Sequence, residues 1–381
     1  RIATTQQGVH KMTYQFLKDL GIDVDNIDPR RLRIYGNGGG QLPFNNSKFR
    51  YDDLQENAIL VQGENDGVFD NTDFVLFFAT AQTRWKYDGT GETFSHQLNG
   101  YSDSTYYFIT TDLGSGKRIQ HLAEASGTPN QTVSTYNDYQ FIESELVNLL
   151  KSGREWYGES LDNLNSSRSY NFSFPNLVTS EQATFRANMI ARAVNGSSTT
   201  NRVSASLSGI SPIVTYFNNV GTSPQDNYAL PISFNQAFLP SSSTISASIS
   251  FSSSDPNALG WVNYLEMNAR CQLTATGRGT QMGFRDVRSV GTGNITEFNL
   301  TSVTNSHQVW DITDPLNVAI QDHRFLGNQI LFTTETSVLK EFQLLDGVNY
   351  LVPVKAGGIA NQNMRVLPKA SKIIVAPEGF L

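Results

Sequence analysis

The sequence predicts a mainly β protein, antiparallel β-sandwich domains of jelly-roll type with a few short helices, and three observations carry that prediction. Within 181–194, Ala183, Phe185, Ala187, Met189, Ala191 and Ala193 recur at strict period two, as do Ile245, Ala247, Ile249 and Phe251, and Val203, Ala205 and Leu207. Alternation of this kind turns one face to a core and the other to water, the signature of an antiparallel sheet. Charged residues make up only 17% of the 381 while aromatics reach 11%, so Ser, Thr, Asn and Gln must supply the polar surface that charged helices supply elsewhere. Gly-, Ser-, Asn- and Pro-rich turns separate the alternating runs, as stacked sheets require.

Three segments are expected in order: a β-rich domain with two short helices over 1–153, a β-sandwich over 154–305, and a further β segment over 306–381. The first helix is expected within 8–22, where Thr13 is an N-cap, Phe16, Leu17 and Leu20 fall at helical spacing, and Gly21 sits at the C-cap. Arg33 to Tyr35 reads as a strand leading to the glycine loop Gly36–Gly40. No Lys-Ser/Thr and no helix follow that loop, so it reads as a turn and not a phosphate cradle. Ala58 to Val61, Phe74 to Ala79 and Thr105 to Thr110 read as strands. Between the first two, Asp66, Asp70 and Asp73 could offer oxygens to calcium, but their spacing is not that of an EF-hand and a hairpin turn is the simpler reading. The second helix is expected over Phe141–Lys151, closed by Gly153. In the run Trp261–Cys271, Leu265, Met267, Ala269 and Cys271 alternate with polar residues. In the third segment strands fall near 329–332, 339–344 and 350–354. The apolar run Ile373–Ala376 before Pro377 reads as one more buried strand. Because a buried strand needs neighbours on both sides, the chain is expected to be the front part of a longer protein.

Composition and motifs exclude more chemistry than they offer. A net charge of −7 argues against nucleic acid as a partner, since phosphate binding needs a basic patch and Arg30-Arg31-Leu32-Arg33 is too short to make one. No apolar run approaches the roughly 20 residues of a membrane helix. Cys271 is the single cysteine, which rules out an internal disulfide and a multi-cysteine zinc site. It lies mid-strand with no glycine turn to expose it, so it reads as a core residue and not a nucleophile. His10, His96, His121, His307 and His323 form no local metal motif. No catalytic, cofactor-binding or metal-binding residue is assigned, and no cofactor is expected. Trp85 with Tyr87, or Trp156 with Tyr157, could stack on sugars, although packing is the commoner use of such residues.

Several blocks carry a resemblance. Gly8-Val9-His10-Lys11-Met12-Thr13-Tyr14, Ile27-Asp28-Pro29-Arg30, Arg33-Ile34-Tyr35-Gly36-Asn37-Gly38-Gly39 and Gly67-Val68-Phe69-Asp70 are among them. So are Gly153-Arg154-Glu155-Trp156-Tyr157-Gly158-Glu159, Gly260-Trp261-Val262-Asn263-Tyr264-Leu265-Glu266 and Val309-Trp310-Asp311-Ile312-Thr313-Asp314-Pro315. Together, in this order, they resemble the N-terminal region of the PorU family, the gingipain-like sortases of the type IX secretion system of Bacteroidetes. Ala370-Ser371-Lys372-Ile373-Ile374-Val375-Ala376-Pro377 is similar to the first strand of that family's cysteine peptidase domain. The resemblance implies a protein on the extracellular face of the outer membrane. Its parent would remove C-terminal secretion signals from cargo and attach the cargo to anionic lipopolysaccharide, working with an outer-membrane β-barrel partner and other attachment-complex proteins. The family's catalytic His and Cys lie in the peptidase domain and match no residue here. The resemblance therefore implies a non-catalytic platform; a self-contained carbohydrate-binding or adhesin-like β-sandwich is the alternative.

Overall fold

Phe74–Ala79, FVLFFA, is a strand with five of its six residues buried, and its position shows how the chain is layered. The structure is a computed structural model and describes residues 1–89, 91–151, 155–360, 368, 369, 371 and 372. The strand is the middle of a three-stranded antiparallel sheet, between Gly8–Thr13 and Ile59–Gln62. Val75, Phe77 and Ala79 point into an N-terminal core shared with Ile2, Leu17, Ile34 and Tyr107. Leu76 and Phe78 point the other way, against Trp310, Ile312, Val318 and Leu345. A strand covered on both faces has no polar phase, which is why this run is continuously apolar.

Two stacked pairs of sheets follow. In the first, the order Thr135–Glu143, Leu259–Gln272, Ala183–Arg192, Leu230–Phe238 faces the order Ser167–Ser173, Thr244–Ser252, Arg202–Leu207, Ile213–Tyr216. The alternation read from the sequence is present residue for residue: Ala183–Arg192 is buried at every odd position, and Phe172, Phe185, Ile249 and Phe251 meet between the sheets. In the second pair, Phe298 and Phe332 are cross-strand partners, stacked with centroids 5.1 Å apart. Phe284 and Phe342, partners in the opposing sheet, stack at 5.2 Å, and Phe342 meets Phe298 edge-on. This four-ring block fills the second sandwich, and a single buried cluster from Val133 to Leu344 takes in the cores of both sandwiches.

The described residues are thus mainly antiparallel β with very little helix, the expected class. Thr13 caps the first helix as expected, its Oγ1 accepting the Phe16 amide at 3.2 Å, and Gly21 takes a left-handed φ of +91° just past the helix end. The helix itself is only Tyr14–Asp19, because Gly8–Thr13 is drawn into the sheet with Phe74–Ala79. The second expected helix does not form. Thr135–Glu143 is a strand, and Phe141, Ile142 and Glu143 are paired with Glu266, Leu265 and Tyr264; sheet pairing overrides the helical spacing of FIESELVNLL. The boundaries at 153 and 305 divide the sequence and not the sheets. Thr135–Glu143 pairs with Leu259–Gln272 across the first, and Gln281–Arg285 with Glu341–Leu345 across the second. Gly153, Arg154 and the expected strand Ile373–Ala376 lie outside the described residues.

Replacing Phe298 by alanine is expected to lower the unfolding free energy by about 3–5 kcal/mol, the cost of emptying a ring-sized volume in a packed core. Phe325→Ala, at a half-exposed ring, should stay within about 0.5 kcal/mol. Guanidinium denaturation of the two variants checks both.

Candidate functional site

The 14-residue strand Leu259–Gln272 is the axis of the first sandwich. Its odd positions, Leu265, Met267, Ala269 and Cys271, enter the core as the sequence suggests. Three of the even positions do not meet water either. Glu266, Asn268 and Arg270 are all buried, because the hairpin formed by Arg84–Tyr87 and Phe94–Gln97 lies across that face. Buried polar atoms without partners are costly, and here nearly every one has a partner. The Asn268 carboxamide accepts the Phe94 amide at 2.8 Å and donates to the Phe94 carbonyl at 3.0 Å, replacing a missing neighbour strand. Glu266 Oε1 accepts the His96 amide at 2.7 Å. Arg186, opposite Glu266 in the sheet, donates to Thr93 and Ser95 and pairs with Asp88 at 2.7 Å. Arg270 donates to Asn137 at 2.9 Å and pairs with Asp286. Arg285, also buried, lies over the Tyr139 ring at 4.6 Å.

His96 sits at the outer end of this layer, its side chain only 4% exposed. Its Nδ1 lies 2.5 Å from Glu266 Oε1 and its Nε2 2.6 Å from Glu143 Oε2. The ring stacks on Phe141 at 4.3 Å and meets Tyr264 edge-on at 5.0 Å. Burial opposes the imidazolium, but hydrogen bonds to Glu143 and Glu266 and their charges outweigh it and lift the pKa to about 9. Both ring nitrogens then donate, each to a carboxylate.

These groups form the floor of an open cleft of about 620 Å³, with Glu145, Glu155, Trp156 and Tyr264 around it. Partial burial, then the charge of Glu143 and a shared hydrogen bond with it, push the Glu145 carboxyl up to about 7. The cleft thus holds one carboxyl poised to exchange a proton near neutrality, beside a charged histidine and an aromatic wall. It contains no thiol. Cys271 is fully buried on the opposite face of the strand, and desolvation followed by the nearby Asp138 charge pushes its pKa up to about 12.

The aromatic pairs suggested by the sequence are split. Trp156 lines the cleft, 39% exposed, whereas its neighbour Tyr157 donates its hydroxyl to Glu155. Trp85 stacks on Tyr139 at 3.9 Å beneath the hairpin, and Tyr87 packs on Phe94. Asp66, Asp70 and Asp73 each accept a backbone amide, from Val68, Thr72 and Asp70 respectively, so their carboxylates shape the turn. Among the described residues no group of three or more His, Cys, Asp or Glu side chains could hold a metal ion. In the Gly36–Gly40 loop, a Cβ at Gly39 would lie 2.0 Å from the Ala81 carbonyl oxygen, and the Gly39 amide donates to Thr80, which leaves it for the turn. The sequence reading missed His96, Glu143 and Glu266 as a unit. No local signal marked them, because the polar phase Tyr264, Glu266, Asn268, Arg270 reads like an ordinary solvent face.

The architecture is that of a multi-sandwich β protein in which an N-terminal β unit packs against two fused sandwiches. It superposes on the crystal structure of dimeric latent PorU from Porphyromonas gingivalis with a TM-score of 0.79, covering 97% of this chain at 21% identity. The chain spans about a third of the length of that protein, 34%. The Cry4Aa and Cry8Ea1 toxins of Bacillus thuringiensis give TM-scores of only 0.21 and 0.24, at 9% and 12% identity over 70% and 62% of this chain and 58% and 41% of theirs. No family model matches the chain and no curated protein does. No helix among the described residues is long and apolar enough to cross a membrane.

Asn268→Ala is expected to cost about 2–4 kcal/mol, because it leaves both polar groups of the buried Phe94 peptide unpaired. Asn188→Ala, on the same face but at an exposed pair with Ser233, should cost less than about 1 kcal/mol. Urea unfolding with the slope compared between variants checks this.

Proposed function

We propose that this chain is the non-catalytic N-terminal region of a type IX secretion sortase of the PorU kind, serving as the platform that orients a gingipain-type cysteine peptidase domain and as a partner-binding region. One observation carries the reading: nearly the whole chain superposes on about a third of PorU, with a TM-score of 0.79, and the sequence blocks that resemble the family occur in the same order. The buried, unactivated Cys271 agrees with a region that leaves the chemistry to another domain. On this reading the parent protein trims C-terminal signal domains from cargo and joins the cargo to anionic lipopolysaccharide. It does so at the extracellular face of the outer membrane, beside a β-barrel partner and other attachment-complex proteins. The acidic net charge fits a surface with no nucleic-acid role.

Purified residues 1–381 are expected to show no cleavage of peptides carrying a C-terminal signal domain, and Cys271→Ala should change nothing in that assay. Cleavage abolished by Cys271→Ala would overturn the platform reading.

A second reading, a carbohydrate-binding β-sandwich, is favoured by a single feature, the half-exposed Trp156 at the mouth of the cleft. It requires saturable glycan binding that Trp156→Ala abolishes. Trp85→Ala would instead loosen the hairpin by removing the stack on Tyr139. Glycan-array binding with wild type and Trp156→Ala separates the two readings.

A further inference from the structure

We propose that His96 is a pH-sensitive clasp that holds the paired strands Arg84–Tyr87 and Phe94–Gln97 to the first sandwich, and that loss of its proton loosens this hairpin and with it one wall of the cleft.

The geometry places a titratable ring among the links that hold the hairpin's outer end. Among the described residues, strand Phe94–Gln97 has a backbone strand partner only on its Arg84–Tyr87 side; its other edge is held by side chains. Deep in the layer those are the neutral Asn268 bonds to Phe94, which do not titrate. At the cleft end His96 adds its amide to Glu266 and two imidazole contacts to Glu266 and Glu143, beside the bonds of Arg186 to Thr93 and Ser95 and the stack of Trp85 on Tyr139. Those two carboxylates belong to different strands of the sandwich, Glu266 to Leu259–Gln272 and Glu143 to Thr135–Glu143. One protonated ring thus ties the hairpin to two strands at once. A neutral ring can donate from only one nitrogen, so it must leave one of two nearly buried carboxylates facing a lone pair.

The groups around the ring work in both directions. From the sandwich, Glu143 and Glu266 face it directly, Glu145 and Glu155 line the same cleft, and Tyr264 is neutral throughout the range of interest. Arg186 of Ala183–Arg192 lies 3.8 Å from Glu266 and competes for it, but is itself paired with Asp88 of the hairpin connection at 2.7 Å. On the hairpin, Arg84 and Lys86 stand on the partner strand, and Trp85 is the residue opposite His96. Carboxylates outnumber the cations that face the ring, so the site favours the imidazolium. Glu145, titrating near 7, strengthens that preference as it ionises.

The sign follows from the two states. Held in place, His96 keeps its proton to about 9, against 6.5 for a free imidazole. The clasp is therefore fully engaged below pH 6.5, weakens as pH rises, and is lost above about 9. The difference between those values corresponds to a rise of roughly two orders of magnitude in the opening equilibrium across the window.

The test is amide hydrogen exchange of the full 381-residue chain between pH 6.5 and 9.5, with protection referred at each pH to an unstructured peptide, alongside an imidazole titration by NMR. The expected result is a His96 midpoint near 9 and a fall of ten- to a hundred-fold in protection at His96 and Gln97, with core amides of Ala183–Arg192 unchanged. His96→Gln should show low protection at those amides already at pH 6.5 and little further fall. Should that variant not fold, Glu143→Gln removes one of the two carboxylates and must shift both the midpoint and the fall toward lower pH. Flat protection in the wild type, the same fall in His96→Gln, or an unshifted midpoint in Glu143→Gln would each overturn the proposal.

Discussion

A row of polar side chains buried along one face of the strand Leu259–Gln272 fixes how the hairpin at 84–97 meets the first sandwich. Apolar surfaces attract without direction and can slide over one another; a carboxamide that must match both the N–H and the C=O of Phe94 cannot. Glu266 and Asn268 set hydrogen-bonding requirements two residues apart, met by His96 and Phe94, and a shift of the hairpin by one residue would break both. Leaving such groups unpaired is far more costly than forming them is favourable, so the face works chiefly by rejecting wrong alignments.

That directional layer lies between two extensive apolar ones. Beneath the strand, Leu265, Met267 and Ala269 belong to the core that runs through both sandwiches and includes the Phe284, Phe298, Phe332 and Phe342 block. The N-terminal unit brings its own core and touches the second sandwich through a third, smaller cluster around Trp310. Attraction comes mostly from area, and alignment comes from the few polar groups between the areas.

Local rules made much of this legible. The strands at 183–192, 202–207 and 244–252 could be read because each has one face in the core, so period two survives in the residue order. The Thr13 cap was readable because it involves only three residues. The expected helix at 141–151 was misread because Phe141, Ile142 and Leu146 suit a helical face as well as a strand, and only pairing with 264–266 decides between them. The even face of 259–272 looked like a solvent face because the hairpin residues that bond to Glu266 and Asn268 lie 170 or more positions away. The candidate site shares that obscurity: His96 is 47 residues from Glu143 and 170 from Glu266. No spacing rule reaches that far; the three meet only because the sheet order places two strands side by side under a hairpin.

The strand Phe74–Ala79 has a mechanical meaning. Its two faces are anchored in different cores, so it acts as a shared beam. A force applied to the N-terminal unit cannot tilt that unit without also displacing Leu76 and Phe78 against Trp310. Because packed side chains resist compression, the push is passed to the second sandwich as a rigid displacement. The N-terminal unit and the second sandwich are thus coupled by a strand common to both cores and not by a joint.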